Sequence, residues 1–253
     1  MEADTLAILF ALGLLGGVVT ALVGGSSLVT FPILVMVGIP PVPAVATNLV
    51  ALTPANLAAA IADRGKLPPL SWALFWLLAG CTAAGGAGAA LLLLTPARVF
   101  EAIVPALIGF ATLLFAYSDA LRRAIARARA GKSGGVAGIV LPSVLLSVYG
   151  GYFGAGMGVM YLALLALGGF EDMRTANALK NLLGVLNGFV PIVLFVASGV
   201  VLWPVAAAML SGALIGGFGG GYAMRFIPPI AFRRVVVAIG AAMTAVYVWR
   251  YWF

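Results

Sequence analysis

Apolar residues along this chain run in long unbroken blocks, with neither the strict alternation of a half-buried strand nor the charged stripe of a soluble surface helix. Ten blocks stand out, at residues 5–23, 26–39, 44–62, 70–94, 98–117, 136–153, 159–170, 175–198, 204–224 and 231–251. Most reach the ~18 residues that read as a membrane span. Residues 26–39 and 159–170 do not: at helical rise the first covers roughly 21 Å, less than a hydrocarbon core of ~30 Å. Each short block follows a glycine break, Gly24-Gly25 in one case and Gly154, Gly156 and Gly158 in the other. Pro32 interrupts the first short block, and Pro40, Pro41 and Pro43 break the chain again. Backbone freed at membrane depth has to be buried in protein or line a wet cavity, and broken helices with polar residues at the breaks point to a transport site. The pattern predicts an all-α membrane protein, a polytopic helical bundle of about 8–10 transmembrane segments with broken helices. The lower count holds if the short blocks form re-entrant hairpins.

The two halves repeat. At a shift of 132, Gly24 falls on Gly156, Ala46 on Ala178 and Pro96 on Pro228. At a shift of 131, Trp72 falls on Trp203, Gly85 on Gly216, Gly86 on Gly217 and Gly88 on Gly219. Matches at glycine, proline and tryptophan are harder to obtain by chance than matches among alanines. The domain reading is a first membrane repeat at 1–117, a basic linker at 118–134 and a second membrane repeat at 135–253. That linker carries Arg122, Arg123, Arg127, Arg129 and Lys132 against Asp119 alone, and the positive-inside rule places it in the cytoplasm. With an odd number of segments per repeat, the Arg64–Lys66 turn and the loop holding Arg225, Arg233 and Arg234 fall on the same side. Glu2 and Asp4 then start the chain outside. An odd repeat also makes the halves inverted-topology repeats, as in many secondary transporters.

Composition narrows the class. Of 253 residues, 64% are hydrophobic and 8% charged, against about 25% charged in soluble domains. The net charge of +7 sits at loop ends, where it orients the chain and meets lipid headgroups. No aromatic residues interleave the arginines as nucleic-acid binding would want, so no nucleic-acid partner is expected. The start lacks a basic n-region, and a cleaved signal peptide is not expected. One cysteine, Cys81, precludes a disulfide framework, and there is no histidine. No carboxylate lies mid-span, which leaves no pair for an intramembrane aspartyl protease, and the missing histidine removes the usual base of a serine hydrolase. No enzyme activity, metal or cofactor is expected.

The candidate chemistry lies at the breaks and on the helices after them. Gly24 and Gly25 let a ligand approach the backbone, and Ser26 and Ser27 are good helix-capping residues. A helix starting inside the membrane turns a positive dipole end and N–H groups to the cavity, which suits an anion. Gly154, Gly156 and Gly158 would offer the mirror-related start. The bland alternative is that the hydroxyls satisfy only their own helix. On the next segment lie Thr47 and Asn48, with Thr53 and Asn56 further along; Asn48 and Asn56 are near one stripe, while Thr47 and Thr53 are not on one face. The matching segment carries Asn177, Lys180, Asn181 and Asn187. A mid-span lysine costs about 2.5–3.5 kcal/mol on insertion scales; substrate contact competes with snorkelling to the surface as its explanation. Asp172 is placed to complement a helix dipole.

The stretch GGSSLVTFPILVMVGIPPVPAVATNLVALTPANLA, its echo GGYFGAGMGVMYL followed by MRTANALKNLLGVLN, and LWPVAAAMLSGALIGGFGGGYAMRFIP together resemble the sulfite exporter TauE/SafE family of bacterial membrane permeases. The resemblance covers nearly the whole chain. It implies a bacterial inner-membrane secondary transporter exporting a small sulfur-containing anion, such as sulfite, thiosulfate or a sulfonate, by alternating access. The substrate-binding residues would be Gly24, Gly25, Ser26, Ser27, Thr47, Asn48, Gly154, Gly156, Gly158, Asn177, Lys180 and Asn181. Partners would be that anion and membrane lipids, with a homo-oligomer left open. Import of a related organic anion and a non-transporting scaffold are the competing readings.

Overall fold

The computed structural model describes residues 3–22, 25–118, 120, 124, 135–223 and 229–252. Outside the described residues lie Gly24, most of the basic linker (Asp119, Arg122, Arg123, Arg127, Arg129, Lys132), and Glu2, Arg225 and Pro228. The described residues form ten α-helices and no strand: α1 Ala3–Leu22, α2 Ser27–Met36, α3 Pro41–Ala62, α4 Trp72–Leu94, α5 Ala97–Ala116, α6 Gly135–Tyr152, α7 Met157–Leu167, α8 Met173–Ala197, α9 Trp203–Ala223 and α10 Pro229–Trp252, with a 3-10 turn at Arg64–Lys66.

All ten apolar blocks are helices, and their ends follow from local chemistry. Ser71 accepts from the N–H of Leu74 to cap α4, and Asp172 accepts from Thr175 to cap α8. The chain breaks between Met36 and Pro41 as expected, and the prolines at 40, 41 and 43 sit at the start of α3. In a first turn the proline N–H would have no partner anyway, so nothing is lost. Pro32, in contrast, does not interrupt the first short block: α2 runs through it, with Pro32 buried in its interior. Tertiary packing holds that turn, and the Tyr247 hydroxyl of α10 donates to the Pro32 carbonyl at 2.9 Å.

Packing is dominated by close helix pairs. A Cβ at Gly13 or Gly17 of α1 would run into the backbone carbonyls of Met209 and Ala213 of α9; one at Gly212 or Gly216 of α9 would strike Phe10 and Leu14 of α1. Small residues thus bring backbones together where lipid offers no hydrophobic drive. Gly88 and Gly151 do the same between α4 and α6.

Exchanging each helix for the one five places later maps most of the packing onto itself. The extensive α1–α9 contact answers to α6–α4, α3–α9 to α8–α4, α1–α3 to α6–α8, and α2–α10 to α7–α5, while α3–α8 and α5–α10 map onto themselves. Direction can be read from the contacts. Gly184 and Gly188 of α8 face Asn56 and Thr53 of α3, so these equivalent helices are antiparallel. Gly109 facing Thr244 and the Trp252 indole bonding Ala102 O make α5 and α10 antiparallel as well. In contrast, α1 and α3 both run parallel to α9, through the pairs Gly13–Met209 and Thr47–Leu202 among others. Helix α2 must therefore turn back between α1 and α3. At about 15 Å it is half the length of a span. The α1–α2 and α6–α7 units are hairpins whose tips lie inside the bundle.

Large apolar side chains point outward, among them Leu94, Trp72, Phe218 and Trp249. A surface of that kind suits lipid and not water. Among the described residues six helices are long and apolar enough to cross a membrane: 41–62, 72–94, 97–116, 135–152, 173–197 and 234–252. The chain is an all-α, multi-pass membrane protein.

Candidate functional site

The two hairpin tips meet. A Cβ at Gly25 would lie 3.8 Å from the Cα of Gly156 and 3.3 Å from the Phe115 ring, and the rings of Phe31 and Phe153 pack edge to face at 5.0 Å. Beside this junction lies a cavity of about 80 Å³, well above the ~10–15 Å³ needed to admit a water. Its wall comes from both halves: Thr20, Gly25, Ser26, Ser27, Asn48, Thr53 and Asn56 on one side, and Gly154, Met157, Gly158, Tyr161, Lys180 and Gly184 on the other. Both α2 and α7 begin at this cavity and run away from it. Their first turns carry the positive dipole end, although the N–H groups of Leu28 and Val29 bond Gly25 O and Ser26 O, and those of Met157 and Val159 bond Gly154 O and Gly156 O.

In the first wall, Thr20 Oγ1 donates to Ser26 Oγ at 2.7 Å, Thr30 Oγ1 to Asn48 Oδ1 at 2.7 Å, and Asn48 Nδ2 to Ser27 Oγ at 3.0 Å. Ser26 occupies the N-cap position but is itself helical and makes no side-chain cap bond. The second wall is built differently. Gly154 and Gly156 both have φ of +75°, a left-handed conformation that costs other L-residues roughly 1–2 kcal/mol. The Tyr149 hydroxyl donates to Ala155 O at 2.8 Å and fixes the tip. Lys180 is only 3% exposed, so it does not snorkel to the surface. Among the described residues the cavity wall carries this one basic side chain and no carboxylate.

The family model described as sulfite exporter TauE/SafE matches residues 9–247. The chain belongs to the TauE/SafE family. A "Probable membrane transporter protein" of Haemophilus influenzae is 29% identical over 256 residues, covering 99% of this chain and 97% of that protein. "Probable membrane transporter protein YfcA" of Escherichia coli K12 is 29% identical across 95% of this chain and 88% of its own length. "Probable membrane transporter protein ORF9" of a Sinorhizobium species is 29% identical across 94% of this chain and 91% of its own. No solved structure matches. Family and relatives agree on a membrane transporter.

Within this TauE/SafE chain, seven of the candidate residues line the central cavity: Gly25, Ser26, Ser27, Asn48, Gly154, Gly158 and Lys180. Gly24 lies outside the described residues. Gly156 sits behind the wall as the N-cap of α7, against Ala111. Thr47 faces away, and its Oγ1 accepts from the N–H of Leu202 at 3.0 Å. Asn177 and Asn181 line a separate cavity of about 300 Å³ between α3, α8 and α9, which also takes in Asp63 and Phe218. The amide of Asn181 is buried with no hydrogen-bond partner among the described residues.

Sequence reasoning missed Thr20, Met157 and Tyr161. Tyr161 sits 2.7 Å from Ser147 Oγ, and Asn187, with its amide turned to suit its neighbours, donates to the carbonyls of Ser147 at 3.0 Å and Cys81 at 3.3 Å. Thr20 lies in an apolar run without any marker of its own. Tyr161 carried one usable signal: at the shift of 131 it falls on Thr30, a residue of the first wall.

Proposed function

We propose that this transporter exports a small sulfur-containing anion, such as sulfite, thiosulfate or a sulfonate, by alternating access. One observation carries the reading: two opposed helix starts, two serines and one buried lysine converge on a central cavity whose wall holds no carboxylate. Such a site favours a compact anion with several acceptor oxygens. The family's description names sulfite export, which supports the substrate class.

The chain is read as two inverted repeats, 1–117 and 135–253, joined by a basic cytoplasmic linker at 118–134, in the bacterial inner membrane with its start outside. An interior negative by 100 mV favours exit of a monovalent anion by about 2.3 kcal/mol, roughly a fiftyfold gradient. Export on this scheme requires neither a coupling cation nor an enzymatic step. Flux in proteoliposomes tests it: sulfite efflux should rise when the lumen is made negative and fall when the potential is reversed. Efflux indifferent to the potential, or no transport of any sulfur oxyanion, would end the reading.

A further inference from the structure

Building on that anion reading, we infer that Thr20 and Asn48 are positioning residues, each donating to a cavity serine so that the serine proton is left for the ligand. A hydroxyl has one proton to give and two lone pairs to receive. Ser26 Oγ receives the Thr20 proton at 2.7 Å, and Ser27 Oγ receives an Asn48 amide proton at 3.0 Å. Among the described residues neither serine hydroxyl donates to a protein acceptor, and both line the cavity. The Asn48 amide is itself set by Thr30, whose hydroxyl is 2.7 Å from Asn48 Oδ1 and 3.0 Å from Ser26 O. The nearer acceptor takes the proton, which turns the amide N–H toward Ser27.

The other hydroxyls on the cavity wall have their protons committed. Thr53 donates to Leu49 O at 2.7 Å. Ser147 donates to Ser143 O at 2.7 Å, so the proton in the Ser147–Tyr161 bond comes from Tyr161. Two adjacent serine donors therefore remain, each strengthened by the bond it accepts, opposite the Lys180 ammonium. A sulfo group presents separate oxygens to both hydroxyls and to the cation at once, which a single halide ion cannot. The site selects an oxyanion over chloride through Ser26 and Ser27, and Thr20 and Asn48, which line the same cavity, set that selectivity through the serines they hold.

The test is a pair of double-mutant cycles on the full chain in proteoliposomes, with sulfite as the probe and chloride as the competitor. Ser26→Ala should raise KM for sulfite about tenfold, the loss expected of a hydrogen bond to a charged group. Thr20→Val should raise it about threefold, with a smaller change in kcat and a lower sulfite-to-chloride preference, and Thr20→Ser should restore both. Thr20→Val should add nothing once Ser26 is alanine, and Asn48→Leu should add nothing once Ser27 is alanine. Additive KM losses in an active transporter would overturn the inference and leave the anion reading standing. Wild-type protein that moves no sulfur oxyanion would remove both. If Thr20→Val does not fold, the Asn48–Ser27 cycle decides alone.

Discussion

The two hairpin tips occupy equivalent places in the packing and are made from different chemistry. The first is held by side chains: Thr20, Ser26, Ser27, Thr30 and Asn48 form one hydrogen-bonded set, and among the described residues it has no left-handed glycine. The second is held by backbone: Gly154 and Gly156 adopt φ of +75° and a tyrosine hydroxyl clamps the loop. Its contribution to the cavity is the basic side chain of Lys180 on the following helix, 132 residues after Asn48. The difference separates what the packing must keep from what a ligand requires. A helix pair meeting at backbone distance constrains both halves alike, so the glycine interfaces recur. An anion requires one wall that orients it and one that neutralises it, and identical walls would either double a buried charge or supply none. Neither half alone makes a complete site.

The sharpest way to break this comparison is to remove the charge. Lys180→Met keeps length and burial, and should lower kcat/KM for sulfite by about a hundredfold or more, the scale of losing a charged hydrogen-bond partner in a buried site. Moving the charge sharpens it further. If the cavity needs only a cation somewhere, Asn48→Lys combined with Lys180→Asn should recover much of the flux. If the walls have distinct duties it should not, because Ser27 then loses its amide donor. The second outcome is expected in the flux assay.

A smaller effect should separate the tips by stability. Gly156→Ala forces a left-handed alanine at about 1–2 kcal/mol, which for a chain of this size lowers the melting temperature by several degrees. Gly25→Ala is crowded by the Phe115 ring at 3.3 Å and meets Gly156 Cα at an ordinary 3.8 Å, and should cost less. Thermal unfolding of the two variants in one detergent checks the order. Equal losses would mean that the tips are held in the same way.

The number and ends of the helices were legible because glycine, proline and capping residues mark them in the chain itself. Pro32 misled because tertiary packing can hold a proline inside a helix, and the Tyr247 hydroxyl that bonds the Pro32 carbonyl comes from the far end of the sequence. The site was half legible. Ser26, Ser27, Asn48 and Lys180 stand out as polar residues in apolar runs, whereas Thr20 and Tyr161 acquire their roles only when hairpins fold back. The division of α8 could have been read from spacing alone. Asn177 and Asn181 are one turn apart, as are Lys180 and Gly184, and helical geometry puts the two pairs on adjacent stripes facing the side cavity and the central cavity respectively.

The smallest expected effect concerns how the two long helices after the hairpins begin. Helix α3 starts on Pro40 and Pro41, with nothing to titrate. Helix α8 starts on Asp172, whose Oδ2 accepts from the Thr175 N–H at 2.9 Å and the Thr175 hydroxyl at 2.8 Å. These bonds, the backbone one first, hold the Asp172 carboxyl below the usual carboxylate value. A depressed folded-state pKa contributes stability that is complete above the unfolded value, about 4, and is lost as pH falls through the folded one. Acid should therefore loosen the first turn of α8 and leave the first turn of α3 alone. Hydrogen exchange at Thr175 and the residues just after it, followed from pH 6 downward with the intrinsic pH dependence removed, should show protection falling in the acid limb. Asn is an equally good N-cap and carries no titrating proton, so Asp172→Asn should flatten that limb while keeping protection at pH 6. A wild type and variant that fray together at every pH would show that the carboxylate contributes nothing to the start of α8.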